Sequence, residues 1–314
     1  MEPVDRLSEL SDELLTHVIS FLSTKEAVQT SLLAKRYQNL WASVPVLDLD
    51  FDDFLPSYEI IEKMEEDEEG FREYDDKFMK FVNGVFEYRE PLTLDAFKLG
   101  WVQDSSDPAP ATTWLDTAAK LKPKIISAHI ITENYTLEVP DSVFISESLE
   151  ELELHLAYET IRPKSVNLLW LKRLTLNSVE IEDEVMKKLL SGSPALQELL
   201  LPGCMLNSGC ISSGTLKRLV LDGSENEKNT PNILISIPSL EFLEVRSWAM
   251  GKLSFKDLKS LVWAHIRLEE LSDGETFFLT GLSKVNSLEL ALSVSALKDM
   301  NNLLEKKNNQ VSNL

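Results

Sequence analysis

One spacing of apolar residues recurs through the second half of the chain: an apolar residue is followed three and five positions later by two more. The copies are Leu149/Leu152/Leu154, Leu171/Leu174/Leu176, Leu196/Leu199/Leu201, Leu216/Leu219/Leu221, Leu240/Leu243/Val245, Leu258/Leu261/Trp263 and Val285/Leu288/Leu290. Their first residues stand 22, 25, 20, 24, 18 and 27 positions apart. A short strand with alternate residues inward cannot bury that face alone, so the pattern predicts stacked repeats in a parallel-sheet solenoid.

The same spacing occurs earlier in the chain, where helical patterns separate the copies. The earlier copies are Val44/Leu47/Leu49, Leu94/Phe97/Leu99 and Ile125/Ala128/Ile130. Helical faces are predicted from Phe78, Phe81, Val82, Val85 and Phe86, and from Trp114, Leu115, Ala118 and Leu121. The array is therefore expected to begin near residue 44.

Residues 5–43 have helical rather than strand periodicity. Ser11 and Asp12 can cap a first helix, whose apolar positions are Leu14, Leu15, Val18, Ile19 and Leu22. Ser23 and Glu26 fit a capping box for a second helix, and Lys35 to Ala42 predicts a third. Three helices of this length bury little surface, so we expect them to depend on a partner.

The N-terminal helices carry an ordered string of residues. The string is Asp5-Arg6-Leu7-Ser8-Glu9-Leu10, Asp12-Glu13-Leu14-Leu15, Val18-Ile19-Ser20-Phe21-Leu22, Thr24-Lys25-Glu26-Ala27-Val28, Ser31-Leu32-Leu33-Ala34-Lys35-Arg36 and Leu40-Trp41. It resembles the F-box, with which substrate receptors attach to the Skp adaptor of cullin-based ubiquitin ligases. Ser11 stands where the family usually has Pro, and Tyr37 stands where it usually has Trp.

Together with the repeats, this string resembles the plant F-box and leucine-rich-repeat family over residues 5 to about 293. Further segments that resemble this family are Leu137-Glu138-Val139-Pro140, Ser148-Leu149-Glu150-Glu151-Leu152-Glu153-Leu154 and Ser193-Pro194-Ala195-Leu196-Gln197-Glu198-Leu199. Many relatives carry a C-terminal FBD domain after the repeats. Since only Ser295 to Leu314 follow here, we expect that domain to be missing.

The predicted fold class is mixed α/β, with a three-helix F-box followed by an irregular leucine-rich-repeat solenoid whose parallel β-sheet is curved. The predicted domains are an F-box at 1–43, a solenoid at 44–293 with an acidic loop and helix insert at about 50–90, and a capping helix and polar tail at 294–314. The capping helix would use Leu297, Met300, Leu303 and Leu304.

Charge and composition narrow the classes of partner. The net charge of −21 disfavours nucleic acid, which requires clustered Lys and Arg. No apolar run reaches the roughly 18 residues that cross a bilayer, so no membrane partner is expected. Glu2 and Asp5 follow the first residue without a basic and then apolar leader, which favours a cytoplasmic or nuclear protein.

Catalytic chemistry has little support in the sequence. Cys204 and Cys210 match no zinc spacing, and the four histidines lack a ligand pairing, so neither a metal nor a cofactor is predicted. No nucleophile elbow, phosphate loop or HExxH pair is present, and no catalytic residue is predicted. The chain is expected to be a non-catalytic subunit.

The resemblance implies a set of adaptor-binding residues on the F-box. These are Leu7, Leu10, Ser11, Leu14, Leu15, Val18, Ile19, Leu22, Leu33 and Trp41. The alternative is that the same apolar residues form an internal core that closes one end of the solenoid.

Residues that point away from the solenoid core should form columns across neighbouring strands. One column reads Glu151, Arg173, Glu198, Arg218, Phe242, Ser260 and Ser287; the next reads Glu153, Thr175, Leu200, Val220, Glu244, Val262 and Glu289. Apolar members on a charged face favour a protein-binding role, so Leu200, Val220 and Val262 are predicted substrate-binding residues. Alternatively, a loop or the C-terminal helix covers them.

The resemblance implies a substrate-recognition subunit of an SCF-type ubiquitin ligase, with the Skp adaptor, a cullin and an unknown protein substrate as partners. A non-degradative interaction scaffold is the second interpretation. A small-molecule receptor on the same plan is the third, and it would require a preformed pocket.

Overall fold

The computed structural model describes residues 9–56, 68–102, 109–132, 136–207, 209–223, 233–248, 253–268, 282 and 285–292. The chain forms two compact units, Met1–Glu151 and Leu152–Leu314. Among the described residues, no helix is both long and apolar enough to cross a membrane.

The first unit opens with two capped helices, α1 (Asp12–Ile19) and α2 (Thr24–Thr30). The Ser11 hydroxyl accepts a hydrogen bond from the Leu14 amide, and Ser23 and Glu26 form the predicted capping box. The predicted third helix is wrong: its region contains two 3₁₀ helices, Lys35–Tyr37 and Leu40–Ser43. Neither has a side-chain cap, and segments of three or four residues close through i to i+3 hydrogen bonds.

Three parallel strands follow in the order β1 (Val46–Asp50), β2 (Ala96–Val102) and β3 (Ile125–Ile131). A 3₁₀ helix (Phe51–Phe54) follows β1. Among the residues of this region that the structure describes, the helices are α3 (Glu68–Tyr88), α4 (Ala109–Lys120) and α5 (Asp141–Phe144). The early strands and both predicted helical faces are therefore confirmed, and the copies Val44/Leu47/Leu49 and Leu94/Phe97/Leu99 are in register. The third early copy is wrong in frame: Phe97 pairs with Ile126 and Leu99 pairs with Ala128, so the copy is Pro123/Ile126/Ala128 and not Ile125/Ala128/Ile130.

Aromatic side chains fill the core between these helices and strands. Phe78, Trp101 and Trp114 are almost fully buried, and the two tryptophan rings lie 5.1 Å apart. Their polar atoms are satisfied, since Trp101 Nε1 donates to Asp75 Oδ1 at 3.0 Å and Trp114 Nε1 donates to Asn83 Oδ1 at 2.8 Å. Buried indoles of this kind fix the packing because each N–H requires its partner.

In its described part, the second unit is a stack of parallel strands with one helix, α6 (Asp183–Gly192). The strands are β4 (Glu151–Thr160), β5 (Arg173–Glu182), β6 (Glu198–Asn207), β7 (Cys210–Ser212), β8 (Arg218–Gly223), β9 (Ile233–Ser236), β10 (Phe242–Trp248), β11 (Leu253–Lys256), β12 (Trp263–Leu268) and β13 (Ser287–Leu292). One sheet has the order β4-β5-β6-β8-β10-β12-β13, and a second has the order β11-β9-β7.

The predicted repeat positions face the interior of this stack. Leu174, Leu199, Leu219 and Leu243 occupy equivalent register positions on successive strands of the larger sheet and are fully or almost fully buried. Each strand thus buries its alternate residues against its neighbours, which confirms the parallel-sheet solenoid in this unit.

The sixth repeat copy was placed wrongly. Leu243 pairs with Ala264 and Val245 pairs with Ile266, so the copy is Leu261/Ala264/Ile266, not Leu258/Leu261/Trp263. Leu258 and Leu261 are both buried, and both frames fit the apolar spacing. Because Ala264 is small, the correct copy shows a weaker apolar pattern in the sequence than the incorrect copy.

A close backbone approach at the end of α6 requires a glycine. A Cβ on Gly192 would lie 2.3 Å from the Val166 carbonyl oxygen, and the Gly192 carbonyl accepts from the Leu168 amide at 2.8 Å. We expect Gly192→Ala to lower the free energy of unfolding by about 1–3 kcal/mol, since backbone must move to relieve the clash. Urea unfolding measures this change.

Gly214→Ala is the matched control for this substitution. No atom lies within 4 Å of a Cβ built at Gly214, so its free energy of unfolding should change by less than about 0.5 kcal/mol. Equal midpoints for the two variants would contradict the packing of residues 166–168 against α6.

The two cysteines should differ in reactivity. Burial raises the pKa of the Cys204 thiol to about 12, and its S–H donates to the Leu176 carbonyl at 3.0 Å, whereas Cys210 is half-buried. The thiolate is the reactive form, so native protein at pH 8 should be modified by a thiol reagent at Cys210 and spared at Cys204. Mass spectrometry before and after unfolding checks this, and equal native rates at both sites would contradict it.

Two core positions of β13, the last described strand, are partly exposed to solvent. Leu288 and Leu290, which pair in register with the buried Ala264 and Ile266, are 40% and 38% exposed. The predicted capping residues Leu297, Met300, Leu303 and Leu304 lie outside the described residues.

Candidate partner-binding surfaces

Helix α1 has one buried and one exposed apolar face. Leu15 and Ile19 are 2% and 5% exposed, and Ile19 packs in a core cluster with Ala27 and Val44. The other face presents Leu14 and Val18 to solvent, and Leu22 is exposed just after the helix ends. The helix thus presents apolar side chains both to the core and to solvent, which is typical of an element that binds a partner.

The exposed residues continue beyond α1. Phe21, Leu32 and Leu33 are 76%, 84% and 76% exposed, values that are unusual for large apolar residues in one short segment. The exposed apolar set is defined as Leu14, Val18, Phe21, Leu22, Leu32 and Leu33. Burying these side chains against a partner would be favourable by about 1.5–3 kcal/mol for each one that becomes fully buried.

The structure divides the predicted adaptor-binding residues into groups. Leu14, Val18, Leu22 and Leu33 lie on the surface, whereas Leu7 lies outside the described residues. Leu10 and Trp41 are half-buried, Trp41 against the core cluster, and exposed Ser11 caps α1.

Leu15 and Ile19 require a correction, because their burial makes them part of the internal core instead of a contact surface. The internal-core alternative therefore holds for these two residues. The sequence pattern does not identify Phe21 and Leu32, because they lie just beyond the ends of α1 and α2, where helical spacing no longer indicates which side chains are exposed.

Polar contacts hold the start of α1 in place. The Arg36 guanidinium lies 2.8 Å from Asp12 Oδ1 and also donates to the Leu10 carbonyl oxygen. His17 and Phe21 meet edge to face with ring centroids 5.0 Å apart. The ion pair is exposed and contributes little by itself, but the carbonyl contact fixes the chain that enters the helix.

Helix α2 is attached to the first strand and to the 3₁₀ helix after it. The Thr24 hydroxyl accepts from the Asp48 amide at 2.8 Å, and Lys25 Nζ lies 4.5 Å from the centre of the Phe54 ring. These contacts hold α2 against the rest of the first unit, and they leave the exposed apolar set free.

In the second unit, the outward face of the larger sheet carries the predicted substrate-binding residues. Leu200 and Val220 are register neighbours as predicted, but Leu200 is half-buried and Val220 is 9% exposed. Val262 is wrong as a member of their column, because His265 pairs with Glu244 in that position. The error follows from the misplaced sixth repeat. Val262 is 50% exposed and directly precedes β12.

The corrected register places aromatic and charged residues side by side. Phe242 pairs with Trp263, and their rings stack with centroids 4.2 Å apart. Arg218, the neighbour of Phe242 on the other side, lies with its guanidinium 4.0 Å from the Phe242 ring centre. In the column that begins at Glu151, the oppositely charged neighbours Arg173 and Glu198 form an ion pair, with Arg173 Nε 3.2 Å from Glu198 Oε2.

Comparison with protein families matches both parts of the chain. The F-box domain model matches residues 7–49. The model described as FBD-associated F-box protein At5g56370, LRR repeats, matches residues 112–254. The two matches cover the capped helices and much of the parallel-strand stack, and they confirm the resemblance inferred from the sequence.

Similar proteins from Arabidopsis thaliana extend across most of the chain. F-box/LRR-repeat protein At4g14103 is 32% identical over 273 residues, covering 85% of this chain and 68% of the relative. F-box/LRR-repeat protein At4g14096 is 31% identical over 272 residues, covering 85% and 55%. FBD-associated F-box protein At1g60410 is 30% identical over 250 residues, covering 77% and 57%. The chain thus spans about two thirds of the first relative and little more than half of the other two.

Proposed function

This chain belongs to the F-box/leucine-rich-repeat family, whose role is protein interaction, and from that premise we propose that it is a substrate-recognition subunit of an SCF-type cullin ubiquitin ligase. The F-box binds a Skp-type adaptor, and the repeats bind a protein substrate. The observation that carries the proposal is the exposed apolar set, which presents six large apolar side chains between Leu14 and Leu33.

The adaptor covers these side chains. Leu14 and Val18 share the solvent face of α1, Leu22 follows α1, and Leu32 and Leu33 follow α2. An apolar surface on the adaptor would remove all five from water. The buried Leu15 and Ile19 support the same surface from inside, because they hold α1 in its orientation. Adaptor binding thus relies on one helix face for contact and on the other for position.

The chain acts by proximity and not by chemistry of its own. In this role the adaptor and the cullin join the bound substrate to an enzyme that carries activated ubiquitin. The repeats raise the effective concentration of a substrate lysine near that thioester, which is a gain of the kind that linked binding sites provide.

Co-expression with a plant Skp-family adaptor tests the proposal. We expect the full chain to co-purify with the adaptor and to recruit a cullin only when the adaptor is present. A chain that remains folded by circular dichroism, yet purifies without the adaptor, would contradict it.

Ubiquitin transfer then separates the ligase subunit from a non-degradative scaffold. A reconstituted complex of this chain, adaptor, cullin and charged conjugating enzyme should modify a protein captured by the repeats. Adaptor binding without transfer to any captured protein would support the scaffold instead.

A further inference from the structure

A charged cluster lies on the outward face of β8, β10 and β12. Glu244 is only 5% exposed although it points away from the sheet core, and three basic side chains surround its carboxylate. Arg246 Nε donates to it at 2.6 Å, Arg218 Nη2 lies at 3.9 Å, and His265 Nδ1 lies at 3.7 Å. The buried carboxylate thus binds Arg246 directly and faces Arg218, and both arginines remain partly exposed.

Arg218 is held in place but keeps its hydrogen-bond donors. Its guanidinium stacks on Phe242, and its nearest carboxylate oxygen in the described part of the chain, on Glu244, lies beyond hydrogen-bonding distance. Its side chain is 40% exposed. A guanidinium that an aromatic ring holds flat loses little further freedom when it binds a carboxylate through two N–H groups.

The two arginines of the cluster differ in what they can still bind. Arg246 is engaged by the Glu244 carboxylate, whereas the Arg218 guanidinium keeps N–H groups that can donate to one carboxylate from a partner. Acidic residues border the cluster, since Asp222 pairs in register with Arg246 and Glu289 pairs with His265. They would repel a polyanion, so the cluster fits a single carboxylate and not a chain of phosphates.

The charge of the second unit does not oppose an acidic partner. Of the 52 Asp and Glu residues and 31 Lys and Arg residues, residues 152–314 contain 20 and 18, whereas residues 1–151 contain 32 and 13. The acidity of the chain therefore belongs almost entirely to the unit that includes the F-box.

Apolar surface lies beside the cluster. Phe242 and Trp263 stack at its edge, and Val220 and Leu200 continue the column that contains Glu244. Aromatic residues and arginine are enriched in the energetically dominant parts of protein interfaces.

We propose that this face binds a linear segment of a partner protein that places one Asp or Glu beside an apolar residue. The carboxylate of the partner accepts from the exposed N–H groups of Arg218, and the apolar side chain packs on the Phe242 and Trp263 pair. The inference rests on the proposed function, because it names the class of substrate segment that the repeats recognise.

Selection from a random peptide library displayed on phage tests this specificity on the full chain. Wild-type protein should enrich peptides with one acidic residue next to an aromatic or aliphatic residue. Replacing that acidic residue by its amide in a selected peptide should weaken binding about tenfold or more, as for loss of a charge-assisted hydrogen bond. Enrichment without an acidic residue, or preferred binding of a single-stranded RNA probe, would overturn the proposal.

Variants of the chain complete the test. Arg218→Glu should switch the selection toward peptides that carry Lys or Arg, and an unfolded variant would not produce this switch. The control is Arg162→Gln, which removes an exposed arginine paired with Glu182 and should leave the preference for acidic peptides unchanged. Continued selection of acidic peptides by Arg218→Glu would overturn the proposal. Peptide binding does not require the adaptor, so this failure would leave the adaptor-binding function standing.

Discussion

The double substitution Leu14→Asp/Leu33→Asp is expected to lower the affinity of the chain for its Skp-type adaptor by roughly a hundredfold or more. Both side chains are exposed, 52% and 76%, and in the proposed complex both lie in the apolar contact. A carboxylate at each position would have to be buried without a partner, a cost that adds to the loss of apolar contact. The dissociation constant measured by calorimetry checks the prediction.

Stability and binding should separate in this experiment. Since both residues are on the surface, the double variant should keep the free energy of unfolding of the wild type within about 1 kcal/mol. Leu169→Asp is a matched control, because Leu169 is an equally exposed leucine, 50%, in the second unit, and its substitution should leave adaptor affinity unchanged. Unchanged affinity in the double variant would show that the exposed apolar set is not the adaptor contact.

A second large effect is expected at neighbouring residues of β6. Leu199→Ala should lower the free energy of unfolding by about 2–5 kcal/mol, because Leu199 is 1% exposed and its removal leaves a cavity between repeats. Leu200→Ala should cost less than about 1 kcal/mol, because that half-buried side chain lies on the opposite face of the same strand. Urea unfolding of the two variants measures the difference.

This pair of variants tests the register of the solenoid directly. A shift of one residue in β6 would exchange the two faces and reverse the order of the two effects. A larger loss for Leu200→Ala than for Leu199→Ala would therefore contradict the structure of the second unit.

Periodicity predicted the architecture of the repeats because burial of alternate strand residues leaves a direct trace in the sequence. Leu174, Leu199, Leu219 and Leu243 were assigned to the core correctly for this reason. Periodicity does not locate the sixth copy, because Leu258 and Leu261 are both buried and the core residue of the strand is Ala264. An apolar spacing cannot separate two frames that both bury leucine, so Val262 was placed in the wrong column.

The F-box shows a different limit. Helical spacing identified Leu14, Leu15, Val18 and Ile19 as apolar positions, but α1 is apolar on both its inner and outer faces. Sequence periodicity identifies an apolar helix face when the rest of the helix is polar. It cannot distinguish which of two apolar faces packs against the core. Packing of Ile19 against Ala27 and Val44 decides this, and those contacts depend on the positions of other elements.

The charged cluster at Glu244 also could not be predicted from the sequence. Arg218, Glu244 and His265 come from three strands, and only the corrected register brings them together. A prediction of the site required the frame of the sixth repeat, which the pattern had left ambiguous.

The most direct measurement for the central claim is a titration of fluorescently labelled Skp-type adaptor with the folded wild-type chain. The exposed apolar set predicts a saturable one-to-one complex with a dissociation constant below about 1 μM, as expected when several large apolar side chains are buried together. A chain that is folded and monomeric but gives no saturable binding at tens of micromolar would contradict the assignment of this surface to the ubiquitin ligase.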